Sequence, residues 1–426
     1  MDRQGSRLRP QPSARATLLV LGFTLTACSA ATSPPQERQP SITVAPPIAT
    51  AAEAGASCVP TPDPPPTPSA ELFGQPERIT IFLDQGGSFE RLLDLAHELR
   101  LLPDFPQALR GAFTDLDGDH RADMAISIRS QDAGGSSQRP GSLFVWLCRD
   151  DGYLLLEILR PESAHEAPVL FAADDLTGDD LGDLVYGRPT CGAHTCFLEL
   201  GVLQWNGETF MDQWSGSSED LPTPSVSVHP AGPGPSGSIT VTSGGVQSVG
   251  AGPPRPRTRV WTWDPASRLF LPGPDVLSDP VFRIHVVHDA DASFEAADYH
   301  RAAVLYRRAL DDRFLLDWDA GPAAPERLMA YVHYRLVLLA LTRDGQAAAR
   351  SAFDAMVEAS MGVAEADDYV TMARLLVETP FEEGLPGVCP AVQQFAADHQ
   401  AQILDPLYYG YDNRVYTADD VCPLKE

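Results

Sequence analysis

Hydrophobic positions change their period three times along this chain. An apolar run from Ala16 to Leu25 gives way to a stretch, 29–70, almost without large apolar side chains. A helical pattern follows, with Ser88 as cap and Phe89, Leu92, Leu93, Ala96, Leu99 and Leu102 at helical spacing until Pro103 interrupts it. After Arg110, runs of Val, Ile, Leu and aromatics alternate with Gly, Asp and Asn turns, which predicts strands. Three hairpins are expected: Leu143–Leu156 around Asp151-Gly152, Val202–Met211 around Asn206-Gly207, and Arg259–Leu271 around Asp264-Pro265. Asn-Gly and Asp-Gly supply the positive φ of tight hairpin turns. Beyond Ser278 the period is helical again, in Phe294–Leu310, in Ala330–Ala359 with Gly345 at its turn, and in the pair Tyr369–Glu378 and Ala391–Leu404. The expected architecture is multidomain, β plus α: a leader over 1–27, a linker over 28–70, an antiparallel β-repeat domain over 71–277 and an all-α domain over 278–426.

Charge narrows the function classes. With 31 Lys+Arg against 58 Asp+Glu, the formal net charge of −27 repels phosphate backbones and anionic lipid, so a nucleic-acid partner is not expected. Lys425 is the only lysine, which leaves Schiff-base and Walker-type lysine chemistry without a residue in the body of the chain. No His-Glu-x-x-His, Gly-x-Ser-x-Gly or Cys-x-x-Cys is present. Trp146, Trp205, Trp261 and Trp263 read as sheet core, with sugar stacking as the alternative.

Arg3, Arg7, Arg9 and Arg15 precede the first apolar run, and Leu25-Thr26-Ala27-Cys28 closes it. The run is about half the ~20 residues a membrane span needs, so it reads as an export signal. Its end resembles the lipobox of bacterial lipoproteins. That resemblance implies a diacylglyceryl thioether on Cys28, cleavage after Ala27, and an extracytoplasmic protein whose partner through the anchor is a membrane. The 11 prolines of residues 29–70 favour an extended stalk at ~3.1 Å per residue.

Six cysteines remain, an even number suited to an oxidising compartment, and fifteen connectivities exist. Sequence neighbourhood favours Cys191–Cys196 and Cys389–Cys422, leaving Cys58–Cys148, which would pin the end of the stalk onto the β domain. For the 191–196 turn the competing reading is a metal site with His194, but two Cys and one His fall short of four zinc ligands.

The chain repeats itself at a spacing of 60 residues. Asp115-Leu116-Asp117-Gly118-Asp119-His120-Arg121-Ala122-Asp123 recurs as Asp175-Leu176-Thr177-Gly178-Asp179-Asp180-Leu181-Gly182-Asp183, each before an apolar run. Oxygens at alternate positions of a tight loop can wrap one hard cation, with a backbone carbonyl as one ligand. The first loop offers Asp115, Asp117, Asp119, the Arg121 carbonyl and Asp123; the second offers Asp175, Thr177, Asp179, the Leu181 carbonyl and Asp183. The pattern resembles the calcium loop of FG-GAP (VCBS-like, integrin-type) repeats, which implies structural calcium and propeller-blade-like sheets. His120 and Asp180 stand where that family has Gly, and Thr177 replaces a carboxylate, so weaker binding is expected at the second loop. The alternative for both is a solvated turn that starts a strand.

Residues 294–310 resemble the second half of a tetratricopeptide repeat, with Tyr299, Ala302, Tyr306 and Ala309 at its spacings; an unrelated helical bundle is the alternative. Taken together, these readings make the chain a lipid-anchored binding or assembly protein with a protein or surface polymer as partner. The competing classes are an exported hydrolase drawing on the loop aspartates and a structural surface protein.

Overall fold

The computed structural model describes residues 58, 64–130, 139–162, 165–192, 194–231, 236–246, 248–318 and 325–423. Cys28, the leader and most of the proline-rich linker lie outside the described residues. Among the described residues no helix is long and apolar enough to cross a membrane.

Two helices come first, α1 (Pro76–Asp84) and α2 (Phe89–Glu98). The expected cap is present, since the Ser88 hydroxyl accepts from the Arg91 N–H at 3.4 Å, and Phe89, Leu92, Leu93 and Ala96 form the buried face. α2 stops earlier than its pattern suggested, and Leu102 is buried from the loop beyond it. α1 was not anticipated; with only Ile79, Phe82 and Leu83 buried, its apolar stripe is too short to stand out.

Among the described residues thirteen strands follow, in three antiparallel meanders. The first sheet is β1 (Ala112–Thr114), β2 (Asp123–Arg129), β3 (Gly141–Arg149) and β4 (Gly152–Leu159), in that order. The second is β5 (Val169–Asp174), β6 (Asp183–Cys191), β7 (Cys196–Trp205) and β8 (Phe210–Ser217). The third holds β9 (Pro224–His229), β10 (Ser238–Ser243), β11 (Arg257–Asp264) and β12 (Leu269–Pro272), with β13 (Val276–Leu277) also pairing with β11. All three expected hairpins are there, β3–β4, β7–β8 and β11–β12.

Alternation of side chains along each strand explains how the sheets stack. On β2, Met124, Ile126 and Ile128 join the cluster made with α1 and α2, whereas Ala125 faces the other way, into the core shared with the second sheet. β3 divides likewise: Phe144 and Trp146 toward the helices, Leu143, Val145 and Leu147 toward Leu184, Tyr186 and Leu203. The second sheet buries Val185, Leu200 and Val202 on its opposite face against Val226, Ile239, Val241, Trp261 and Trp263 of the third. Strands covered on both faces read as continuous apolar runs, as β2 and β3 do. β10 does not: Ile239 and Val241 are buried while Ser238, Thr240 and Thr242 are only partly covered, so the stack ends there. The three sheets do not close into a propeller. All four tryptophans read as sheet core are buried in it.

The helical region comprises α3 (Arg283–Glu295), α4 (Tyr299–Asp311), α5 (Pro325–Asp344), α6 (Gln346–Ala359), α7 (Asp367–Glu378), α8 (Leu385–Asp398) and two short turns, α9 (Gln400–Ile403) and α10 (Ala418–Val421). The stretch expected as one helix from Phe294 is broken: Ala297 takes a φ of 61° and the Asp298 carboxylate caps α4 by accepting from the Arg301 N–H at 3.0 Å. α3 escaped the periodicity because it is wrapped on most sides, burying Arg283, His285, Asp291 and Ser293 along with Ile284, Val286 and Val287.

Those buried polar groups form one network. Asp291 is 1% exposed and Arg335 fully buried, and their charges meet at 3.0 Å. The carboxylate also accepts from the hydroxyls of Tyr306, Tyr331 at 3.1 Å and Tyr416 at 2.6 Å. Arg335 donates onward to the Asp420 carbonyl at 2.9 Å and lies over the Phe294 ring, so α3, α4, α5 and the C-terminal segment share one ion pair. The helices meet the third sheet through Arg255, whose guanidinium donates twice to Asp289 at 2.6 and 2.8 Å, and through Asn413 on the Ala251 carbonyl.

Disulfides join Cys58 to Cys148, Cys191 to Cys196 and Cys389 to Cys422, with Cα separations of 5.7, 4.1 and 5.4 Å. This is the pairing that sequence neighbourhood favoured.

Two outcomes follow. Asp291→Ala leaves a buried guanidinium unpaired and should cost about 3–5 kcal/mol in chemical denaturation. Burial holds His288 down to about 4, with Asp291 opposing and His285, Arg414 and Arg255 assisting. A histidine depressed from ~6.5 contributes stability that is complete above pH ~6.5 and lost as pH falls toward 4, here of order 2–3 kcal/mol. His288→Phe should flatten that part of the acid-denaturation curve, measured by calorimetry between pH 7 and 4.

Candidate metal centre

Both acidic nonamers fold as the turn between the first two strands of a sheet, the first between β1 and β2 and the second between β5 and β6. Each is anchored by its second residue: Leu116 and Leu176 are fully buried in the inter-sheet cores. The backbone takes positive φ at Gly118 (82°) and His120 (65°), and at Gly178 (77°) and Asp180 (65°). Non-glycine residues stand there at a modest steric cost that the loop's own hydrogen bonds offset.

The opening aspartate is the hub of each turn. Asp115 Oδ1 accepts from Gly118 N at 2.8 Å and Oδ2 from His120 N at 2.7 Å. Asp175 repeats this with Gly178 N at 2.6 Å and Asp180 N at 2.9 Å. The closing aspartate ties the turn to the sheet: Asp123 accepts from Leu116 N and Cys148 N, both at 2.8 Å, and Asp183 from Leu176 N at 2.8 Å and Thr177 N at 3.1 Å. Asp119 and Asp179 accept from Arg121 N at 2.9 Å and Leu181 N at 3.1 Å. Charged acceptors on backbone N–H groups make the stronger class of hydrogen bond, so the loops are held in shape by their own carboxylates.

The two loops also lie against each other. A Cβ at Gly118 would stand 2.8 Å from the Leu181 side chain, and one at Gly182 would stand 2.9 Å from the Asp115 carbonyl. On the far side the third sheet offers backbone in place of an acidic loop, with Ala231 N and Gly237 N each donating at 2.8 Å to the carbonyls of Asp175 and Leu176.

Convergence separates the two. One oxygen from each of Asp115, Asp117 and Asp123 lies within 4.8 Å of the others, a set that can hold a metal ion. Asp123 is fully buried, and the Asp117 side chain is 1% exposed, with its Oδ2 paired with the Arg149 guanidinium. Asp119 and the Arg121 backbone lie in the same turn but outside that set. In the second loop Asp175, Asp179 and Asp183 do not converge, and Gln204 spans the gap, donating to Thr177 Oγ1 at 3.0 Å and to Asp179 Oδ2 at 2.8 Å.

Burial governs the titration of these groups. It pushes Asp123 up to about 7 against the hydrogen bonds from Cys148 and Leu116, and Asp183 to about 7 against that from Leu176. Asp117 is raised for the same reason, with Arg149 opposing.

Arg149 and Gln204 belong to the site although sequence reasoning passed over them. The Arg149 guanidinium pairs with Asp117, stands 3.9 Å from Asp119 and lies over the Trp205 ring. Each residue comes from the third strand of its sheet, far from its loop in sequence; only strand pairing brings them in. No protein-family model matches the chain, and no curated protein or solved structure shows significant similarity to it.

A metal ion at this cluster would compete with Arg149 for Asp117. Arg149→Met should therefore tighten binding to the first loop several-fold in calorimetric titration. The same change should lower the stability of the ion-free protein by about 0.5–1 kcal/mol. Unchanged affinity would mean that the guanidinium does not engage the loop in solution.

Proposed function

We propose that this chain is an exported lipoprotein, anchored through Cys28, that presents a calcium-stabilised β stack and a tetratricopeptide-like helical region as a binding and assembly module on the extracytoplasmic face. The convergence of Asp115, Asp117 and Asp123 carries this reading. Calcium takes six to eight oxygens in flexible geometry, and this loop supplies carboxylates and carbonyls on a backbone already shaped around its first aspartate. The ion's task would be structural. It would sit where the first loop abuts the second, offsetting repulsion among buried carboxylates and stiffening the seam between two sheets. Gln204 takes over part of that task at the second loop without an ion, in keeping with weaker binding there. The three disulfides suit an oxidising compartment, and the linker with its Cys58–Cys148 tether suits a protein held away from a membrane.

Thermal unfolding of the oxidised chain with calcium and then with chelator tests the reading. At dissociation constants of roughly 10⁻⁴–10⁻³ M, ~2 mM calcium should stabilise the fold by about 0.6–1.8 kcal/mol per site. The shift should be lost in Asp117→Asn and in Asp119→Ala, and magnesium should not reproduce it. Equal responses to the two ions would reduce both loops to turns. Retention of a Cys28→Ser chain in the membrane fraction would remove the anchor.

A further inference from the structure

At the end of β2 opposite the acidic loop, the charge changes sign. Arg129 closes the strand, Arg139 stands just before β3, and Arg100 follows α2; all three line one cavity of about 660 Å³ with Leu99, Leu101 and Ser130. Arg129 and Arg139 also line a second cavity of about 260 Å³ that holds Asp104 and Glu166. The remaining charged residue of the larger cavity, Glu71, is already paired with Arg78 at 3.4 Å. Among the described residues no carboxylate oxygen comes within 4.0 Å of a guanidinium nitrogen of Arg100, Arg129 or Arg139. The Nε of Arg129 is buried without a hydrogen-bond partner among them.

Long-range backbone bonds fix this arrangement. Arg129 N donates to the Leu101 carbonyl, Ser130 N to that of Pro140, and Ala167 N to that of Arg139, each at 2.8 Å. Arg100 holds a φ of 57° just past the end of α2, a place where glycine is usual and any other residue is strained. Burial and the neighbouring Arg139 make the charge on Arg129 harder to keep, against the pull of Glu166 and Asp104. In a chain of net charge −27, three guanidiniums gathered with no ion pair within 4.0 Å among the described residues are out of keeping with the rest of the surface.

We propose that the cavity bounded by Arg100, Arg129 and Arg139 is an oxyanion site for a phosphoryl group. A guanidinium presents its N–H groups in a planar fork matched to phosphate oxygens, and three of them suit a doubly charged anion better than a single carboxylate. Free phosphate, a soluble phosphorylated molecule and a phospholipid headgroup share this chemistry of capture.

Thermal unfolding and calorimetric titration of the Cys28→Ser chain, oxidised and in calcium-free buffer at constant ionic strength, test this with inorganic phosphate as probe. A saturable rise in melting temperature with phosphate is expected, at least tenfold weaker with acetate and absent with chloride. Arg129→Met should weaken phosphate binding at least tenfold while leaving the anion-free protein as stable as the parent or more so, because it removes a half-buried cation that makes no ion pair among the described residues. Arg139→Gln should weaken binding too. Phosphate and chloride acting alike, phosphate affinity unchanged in Arg129→Met, or an anion-free Arg129→Met less stable than the parent would each overturn the proposal. Sedimentation with phosphatidylglycerol vesicles, against phosphatidylcholine, assigns the source. Binding that phosphate competes away supports a headgroup ligand, and phosphate binding without vesicle binding supports a soluble one.

Discussion

A four-stranded sheet whose two faces are both apolar cannot stand alone, and the architecture of this protein follows from that constraint. Burial at ~25 cal/mol per Å² favours covering each face, and an exposed apolar sheet face invites aggregation. The first sheet is covered by α1 and α2 on one side and by the second sheet on the other; the second sheet is covered by its neighbours. Propagation ends where the side chains change. Thr240 and Thr242 of β10 face away from the core, so the third sheet needs no fourth. The chain thus stacks three antiparallel sheets in a row and ends the row with helices at one end and a hydroxyl-rich face at the other.

The same stacking concentrates charge. Strands that begin at equivalent places put both acidic loops along one edge of the stack, close enough for Gly118 and Gly182 to be needed for their contact. Carboxylates so packed must find donors, and most find them in backbone N–H groups of the loop itself. What the loops cannot supply comes from distant strands, a guanidinium at the first and an amide at the second. At the other end of β2 the arginines gather. β2 therefore begins in the first acidic loop and ends at the arginine cluster.

The helical region solves a different problem. Its core buries an ion pair, and a buried pair is stable only when every remaining polar atom is answered. Three tyrosine hydroxyls and two backbone carbonyls answer most of them, drawn from α4, α5 and the C-terminal segment. The network makes the arrangement of those elements specific as well as stable, and α3, which supplies Asp291 to it, also supplies Asp289 to the Arg255 contact that joins helices to sheets.

Local chemistry was legible in the amino-acid order. Hairpin turns, the Ser88 cap, the repeated acidic nonamers and the positive φ at His120 and Asp180 depend on residues within a few positions of one another, where chain connectivity leaves few alternatives. The disulfide partners were legible for a related reason, since two of the three pairs close short segments. Helices α1 and α3 were not, because one has too short an apolar stripe and the other is buried on most sides; neither shows the one-sided pattern on which periodicity relies. Nor could the order of residues place Arg149 beside Asp117, Gln204 across Thr177 and Asp179, Arg335 on Asp291, or Arg100 with Arg129 and Arg139. Those pairings join residues 10 to 44 positions apart and hinge on strand register and helix packing. A carboxylate's neighbours across a sheet are set by how the strands align, and that alignment is decided only when the faces of the sheets are buried.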